Sequence, residues 1–241
     1  MSITYEQYAK MIDHSLLQPV LTVPQLEQGL ALALTYNVAS VCILPYYLRR
    51  AAEVLNGSTV MPSTTIGFPH GGHTTAMKRR EAEIAIDDGC QELDMVVNIS
   101  QVLSGNWDYV IEDIRAVVEP AHAAGRKVKV IFENCFLQDE HKVRLCQICT
   151  DLRADWVKTS TGYGSGGATI PDLKLMLSSV GPGIQVKAAG GVRDFATLEQ
   201  VRELGVTRCG ASRTREMLDE ARIAMGLTAI QYNGATSSSG Y

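Results

Sequence analysis

Short apolar runs alternate with amphipathic segments along nearly the whole chain. Runs at 11–14, 39–44, 60–66, 92–97, 127–133, 155–159, 184–189 and 206–210 have the length and apolarity of buried strands. Between them, apolar positions recur every three or four residues at 24–36, 74–88, 107–124, 139–152, 171–180, 194–204 and 212–225, which predicts helices. Pro24 and Pro171 fall at the starts of two of these helices, where a missing N–H does no harm. Gly89, Gly125 and Gly205 fall just past the ends of others, where a positive φ is wanted.

Eight strand–helix alternations in 241 residues predict an α/β protein, a closed (β/α)8 TIM barrel with a short N-terminal helix. An open doubly wound sheet shares the alternation, but a length close to the roughly 250 residues of a barrel favours closure. Nothing in the composition marks a second domain, so residues 1–232 read as one barrel domain. The low-complexity end, residues 233–241, reads as a flexible C-terminal tail closing on Tyr241.

Within this frame three lysines share local company: Lys129 in KVKVIFE, Lys158 in DWVKTSTGY and Lys187 in QVKAAGGV, each 29 residues from the next. That interval is about one strand–helix unit of roughly 30 residues, so it predicts comparable heights on three consecutive parallel strands. Barrel active sites lie at the C-terminal strand ends, where these lysines are expected. Two ammonium groups about 6 Å apart at an effective dielectric of about 20 repel by roughly 2.8 kcal/mol. With partial desolvation, that would bring one of them from its usual 10.4 to about 7–8, partly neutral near physiological pH. Asp94, an acid inside the apolar strand ELDMVV, needs a partner if it points inward, and it would hold one lysine cationic. A nucleophilic amine beside a proton-bearing ammonium suits Schiff-base chemistry on an aldehyde or ketone. The spacing does not say which lysine attacks.

Glycine-rich loops follow the last three strands: TGYGSGGAT, AGGVRD and GASRTRE. Loops after strands 7 and 8 are the usual phosphate grip of barrels. Backbone N–H groups of Gly190, Gly191, Gly210, Ser212 and Arg213 could converge on an anion, with charge added by Arg193 and Arg213. His14, His70 and His73 favour loop or substrate contacts over a metal site, because only the H-G-G-H pair is local. Cys42 reads as a core thiol near a strand end. Cys146 and Cys149 form a C-x-x-C inside a helix with no second pair, so a zinc ribbon is not expected.

A hydrophobic fraction of 46%, a charged fraction of 20% and a net charge of −4 describe a soluble globular chain without a broad basic face. Nucleic acid and anionic membrane are therefore poor partners, while a small anion remains compatible. No apolar run approaches the roughly 20 residues of a membrane span. The start, MSITYEQYAKMIDHSLL, lacks the form of a secretion signal. A cytoplasmic protein with six reduced cysteines is expected.

The stretches MIDHSLL, SVCILP, TTIGFPHGG, ELDMVVN, KVKVIFE, DWVKTSTGYGSGGAT, VKAAGGVR and GASR resemble the 2-deoxyribose-5-phosphate aldolases, a family of class I aldolases with a barrel fold. They extend over residues 11–213, and VKTSTG followed by VKAAGGVR is the most specific part. The resemblance implies Lys158 as the Schiff-base lysine, Lys187 as the neighbouring ammonium and Asp94 as the acid/base partner. It also implies phosphate contacts from Gly162, Gly190, Gly191, Gly210 and Ser212, and pocket positions for Asp13, Cys42 and Lys129. Tyr241 resembles the tail tyrosine that assists proton transfer in some members. One departure is Tyr163, where some relatives carry a phosphate-binding lysine, and Arg213 could supply that charge. The implied reaction is reversible cleavage of 2-deoxy-D-ribose 5-phosphate to acetaldehyde and D-glyceraldehyde 3-phosphate. The resemblance further implies a homodimer and no metal or organic cofactor. Alternatives are another lysine aldolase, a silent phosphosugar-binding barrel, and a metal-dependent aldolase using the histidines.

Overall fold

In the computed structural model, residues 3–232 are described, so Tyr241 and the segment 233–241 lie outside the described residues. Eight parallel strands close into a barrel: β1 (Ile12–Leu16), β2 (Ser40–Ile43), β3 (Met61–Ile66), β4 (Glu92–Val96), β5 (Lys127–Ile131), β6 (Trp156–Lys158), β7 (Gln185–Ala189) and β8 (Arg208–Ala211). Strand order follows chain order and β8 pairs back onto β1. The short helix α1 (Tyr5–Ala9) precedes the barrel, closed at its start by a Thr4–Gln7 capping box. The connecting helices are α2 (Val23–Tyr36), α3 (Leu48–Leu55), α4 (Thr75–Asp87), α5 (Ile99–Leu103), α6 (Trp107–Ala123), α7 (Asp139–Asp151), α8 (Ile170–Ser179), α9 (Phe195–Glu203) and α10 (Thr214–Ala224).

Most predicted elements agree with these within a residue or two. Helices α3 and α5 have no counterpart in the sequence reading. Both are short, and α3, with Tyr47 at its N-cap, has no side-chain cap, so no start signal announces it. The first strand runs to Leu16, beyond the predicted 14, because Ser15 and Leu16 pair with Cys42 and Ile43 of β2.

Side chains alternate between two environments along each strand. Leu93, Met95, Val128, Val130, Val157, Val186 and Ala188 are fully buried, in the layer between strands and helices. Each larger one contributes about 1.5–3 kcal/mol by leaving water. The other face points into the lumen, which in barrels is commonly filled by branched apolar side chains. Here charged groups of β1, β4, β5, β6, β7 and β8 meet one another there instead.

A second buried ion pair joins α4 to α6. Lys78 is fully buried, donates to the Val96 carbonyl at 2.8 Å and lies 2.5 Å from Asp113 Oδ2. Burial pushes Lys78 down and Asp113 up, opposing the charged state of both. Lys78→Met is expected to cost about 3–5 kcal/mol of stability by stranding Asp113, while Lys78→Met with Asp113→Leu recovers most of it. Urea unfolding of the two variants checks this.

All six cysteines are free thiols, and Cys146 and Cys149 are buried within α7. Burial pushes the Cys146 thiol up to about 12, so it is an inert core group. Among the described residues, no helix is long and apolar enough to cross a membrane.

Candidate active site

The three lysines that share a sequence context meet at one carboxylate. Asp94 Oδ2 accepts from Lys158 and Lys187 at 2.8 Å each, and Oδ1 accepts from Lys129 at 2.9 Å. Asp94 stands on β4, across the lumen from Lys158 on β6 and Lys187 on β7, so only barrel closure brings them together. Beneath them Asp13 Oδ2 lies 2.5 Å from Lys187 Nζ and 3.2 Å from Lys129 Nζ. Lys129 also reaches Glu92 at 2.6 Å.

Equal spacing did not produce equal heights. Lys158 pairs in register with Lys187, but Lys129 pairs with Trp156, two residues deeper in the lumen. The interval counts loop and helix residues as well as strand residues, and these vary between units. Lys129 is therefore a wholly buried member of the ion cluster and does not line the cavity above it.

The protonation pattern separates the lysines. Burial is the largest influence on Lys158 and pushes it below the ordinary lysine range; Asp94 opposes this and Lys187 adds to it. The expected dominance of like-charge repulsion is thus corrected: desolvation leads, and the attraction of Asp94 exceeds the repulsion from Lys187. Burial pulls on Lys187 as well, but Asp13 and Asp94 together outweigh it and hold this amine above its ordinary value. Asp94 is buried, yet Lys129, Lys158 and Lys187 keep it far below the usual carboxylate range. The result is an amine disposed to be neutral beside an ammonium and a carboxylate that stay charged.

A cavity of about 360 Å³ opens at the C-terminal ends of the strands. Lys158 lines it, whereas Lys187, Asp94, Asp13, Lys129 and Cys42 do not. Cys42 lies below, its thiol pushed up by burial and next by Asp94. Gly162, Gly190, Gly191, Gly210, Ser212 and Arg213, all expected at the phosphate grip, line the cavity, and so does Arg193. Ser15, Ser165 and Gly167 join them. The two glycine loops touch: the Ala168 N–H donates to the carbonyls of Ala189 and Gly190 at 3.0 and 2.9 Å. A Cβ on Gly167 would come within 2.5 Å of the Gly190 carbonyl, so only glycine allows this approach.

Tyr163 spends its hydroxyl on structure. It donates to the Leu17 carbonyl at 2.7 Å, and its ring meets Phe68 edge-on at 5.4 Å. It thereby ties together the loops after β1, β3 and β6. Glu133, not singled out in the sequence, has φ 58° and accepts from the Thr161 N–H at 3.1 Å and from the Thr161 hydroxyl. It anchors the loop that carries Gly162. Its available signal was the one that marked Asp94, an acid on an otherwise apolar strand run.

The histidines do not assemble. His14 is buried against the Thr214 hydroxyl at 2.8 Å, and burial lowers it to about 4; His73 lies 3.3 Å from Glu81. Among the described residues, no three His, Cys, Asp or Glu side chains are gathered as a metal ligand set.

Residues 8–229 match the DeoC/LacD family of aldolases. The chain belongs to this family. It is an aldolase, a carbon–carbon lyase. It is 67% identical over 237 residues to a deoxyribose-phosphate aldolase of Rhodopirellula baltica, covering 98% of each chain. It is 46% identical to one of Lysinibacillus sphaericus, covering 86% of this chain and 92% of that one. Among solved structures, the tetrameric deoxyribose phosphate aldolase of Aeropyrum pernix superposes with a TM-score of 0.83 at 28% identity, covering 90% of this chain and 92% of that one. The expected family and the closed barrel both hold for this aldolase.

Proposed function

We propose that this aldolase reversibly cleaves 2-deoxy-D-ribose 5-phosphate to acetaldehyde and D-glyceraldehyde 3-phosphate through a Schiff base on Lys158. One observation carries the choice of lysine: of the three amines on Asp94, only Lys158 lines the cavity. Neutral Lys158 attacks the C1 aldehyde of the open-chain sugar, and loss of water gives an iminium ion. The 3-hydroxyl gives up its proton, the C2–C3 bond breaks, and its electron pair flows into the iminium to leave an enamine. Glyceraldehyde 3-phosphate departs, C2 of the enamine takes a proton, and hydrolysis frees acetaldehyde and the amine. These proton transfers run through a water held by Asp94 and Lys187, with Asp94 accepting and Lys187 donating.

The substrate phosphate fits the glycine loops, where backbone N–H groups and the Arg193 and Arg213 side chains line one wall. Tyr163 is committed to the Leu17 carbonyl, so the positive charge on this wall falls to the arginines. Gly167→Ala is expected to raise KM for the phosphorylated sugar about tenfold or more while leaving 2-deoxyribose turnover less affected, because it displaces the loop across from Gly190. Steady-state kinetics on the two sugars measure the difference.

The defining experiment is borohydride reduction in the presence of acetaldehyde, followed by intact mass and peptide mapping. An adduct on Lys158 supports the reading; an adduct confined to another residue contradicts it. A silent phosphosugar-binding barrel would form no adduct, and its Lys158 would titrate at about 10 or above. The reading carries a small phosphorylated sugar as partner, no organic cofactor or metal, a cytoplasmic setting and self-association, which sedimentation would size.

A further inference from the structure

The lumen holds more charge than the proposed reaction uses. Arg208 of β8 lies at the N-terminal end of the barrel, its Nη1 2.5 Å from Asp13 Oδ1 and its Nη2 2.7 Å from Glu92 Oε1. Glu92 stands one inward position below Asp94 on β4. The guanidinium stacks over Trp156 at 4.9 Å, and a cavity lined by Lys10, Lys127, Glu92 and Arg208 opens beneath it. Neither Glu92 nor Arg208 lines the cavity containing Lys158.

We propose that Arg208 and Glu92 are positioning residues for the aldol reaction, completing a buried ion cluster whose cations outnumber its carboxylates by one and thereby assigning the neutral amine to Lys158. The cations are Lys129, Lys158, Lys187 and Arg208; the carboxylates are Asp13, Glu92 and Asp94. A fully charged cluster would carry one uncompensated positive charge in the barrel interior, which is costly. Releasing one proton balances it. Arg208 cannot release one at accessible pH. Lys129 touches Asp13, Glu92 and Asp94, and Lys187 touches Asp13 and Asp94. Lys158 touches Asp94 alone, so it is the amine whose proton is held least firmly.

Other groups facing the cluster do not change this count. Cys42 of β2 and Cys209 of β8 are thiols that burial pushes up, and Ser63 of β3 only donates to Asp94 Oδ1 at 3.5 Å. Lys127 of β5 is exposed, and Lys10 is engaged by Asn37, Val38 and Thr59 at the outer rim. Influence passes from Arg208 to Asp13, from Asp13 to Lys187, and from Lys187 to Asp94 and Lys158. Because protonations in such a cluster are coupled, a charge removed at one end is felt at the other.

This inference rests on Lys158 being the nucleophile, and its test keeps the two apart. The readouts are the acidic limb of the kcat/KM pH profile and borohydride trapping of acetaldehyde. Arg208→Met leaves equal numbers of cations and carboxylates, so Lys158 keeps its proton longer. The limb moves up by about one pH unit, a tenfold loss of rate on its acid side. Arg208→Lys preserves the charge and leaves the limb in place. Glu92→Gln moves it down, and Arg208→Met with Glu92→Gln returns it to the wild-type position. Should Arg208→Met not fold, the upward step from Glu92→Gln to the double variant makes the same comparison. A limb that stays put in Arg208→Met while Lys158 still forms the adduct overturns the inference, as does an equal displacement in Arg208→Met and Arg208→Lys. An adduct missing from Lys158 in the wild-type protein overturns the aldolase mechanism, and this inference with it.

Discussion

Lys158→Ala is expected to lower retro-aldol turnover by at least about 10⁴-fold and to abolish borohydride trapping of acetaldehyde. The magnitude follows from what the amine supplies. Without it the C2–C3 bond must break toward an unactivated aldehyde, whereas the iminium is a cationic electron sink. Neighbouring amines do not substitute: Lys187 stays protonated between Asp13 and Asp94, and Lys129 lies deeper and does not line the cavity. The substitution removes the amine that the cluster keeps neutral and leaves three cations facing three carboxylates, so stability is expected to be maintained while activity disappears. Thermal unfolding alongside the rate assay separates loss of chemistry from loss of fold. Residual trapping on Lys187 at near-native yield would contradict the division of roles.

Asp94→Asn has the second largest expected effect, and it acts on rate and stability together. Asp94 is the common acceptor for Lys129, Lys158 and Lys187, so the amide leaves those cations with one carboxylate fewer. Breaking a buried pair by neutralising one partner costs about 3–5 kcal/mol, which denaturant unfolding would register. Loss of the proton acceptor is expected to lower kcat about 10²–10⁴-fold. The pH dependence runs the other way. In the native protein Asp94 favours the charged form of Lys158, and the reactive form is neutral, so the rate rises with pH through the Lys158 titration. Removing the carboxylate lowers that titration further, so the acidic limb of the residual activity moves to lower pH. A limb moving upward would show that Asp94 does not act on Lys158 as described.

The chemistry-bearing residues were legible to different degrees, for physical reasons. Lys158, Lys187 and Asp94 were visible because a charged residue inside an apolar run contradicts its surroundings, and such contradictions concentrate at functional sites. The glycine loops were visible because clustered glycines after strand runs have few uses beyond turns and anion grips. Arg208 was missed because TRCG carries little apolar context against which an arginine looks out of place. Glu92 was missed because it reads as the solvated start of a strand. Helix α3 was missed because its eight residues span only about two turns and no capping side chain marks its start. Tyr163 was noticed as an absent lysine, but its bond to Leu17 joins positions 146 residues apart and could not be inferred from either segment.

What the sequence alone determined is what depends on neighbours along the chain: the alternation of strands and helices, the count of eight, the placing of each lysine on a strand and the turns that glycine permits. Those are local properties, because a strand's two-residue period and a helix's caps are set within a few bonds. Only the tertiary structure decided which of three similar lysines faces the cavity, which carboxylate each one shares, and that burial more than repulsion depresses Lys158. Those depend on barrel closure and strand register, which bring β1, β4, β7 and β8 within ångströms of one another across a lumen that no segment contains by itself.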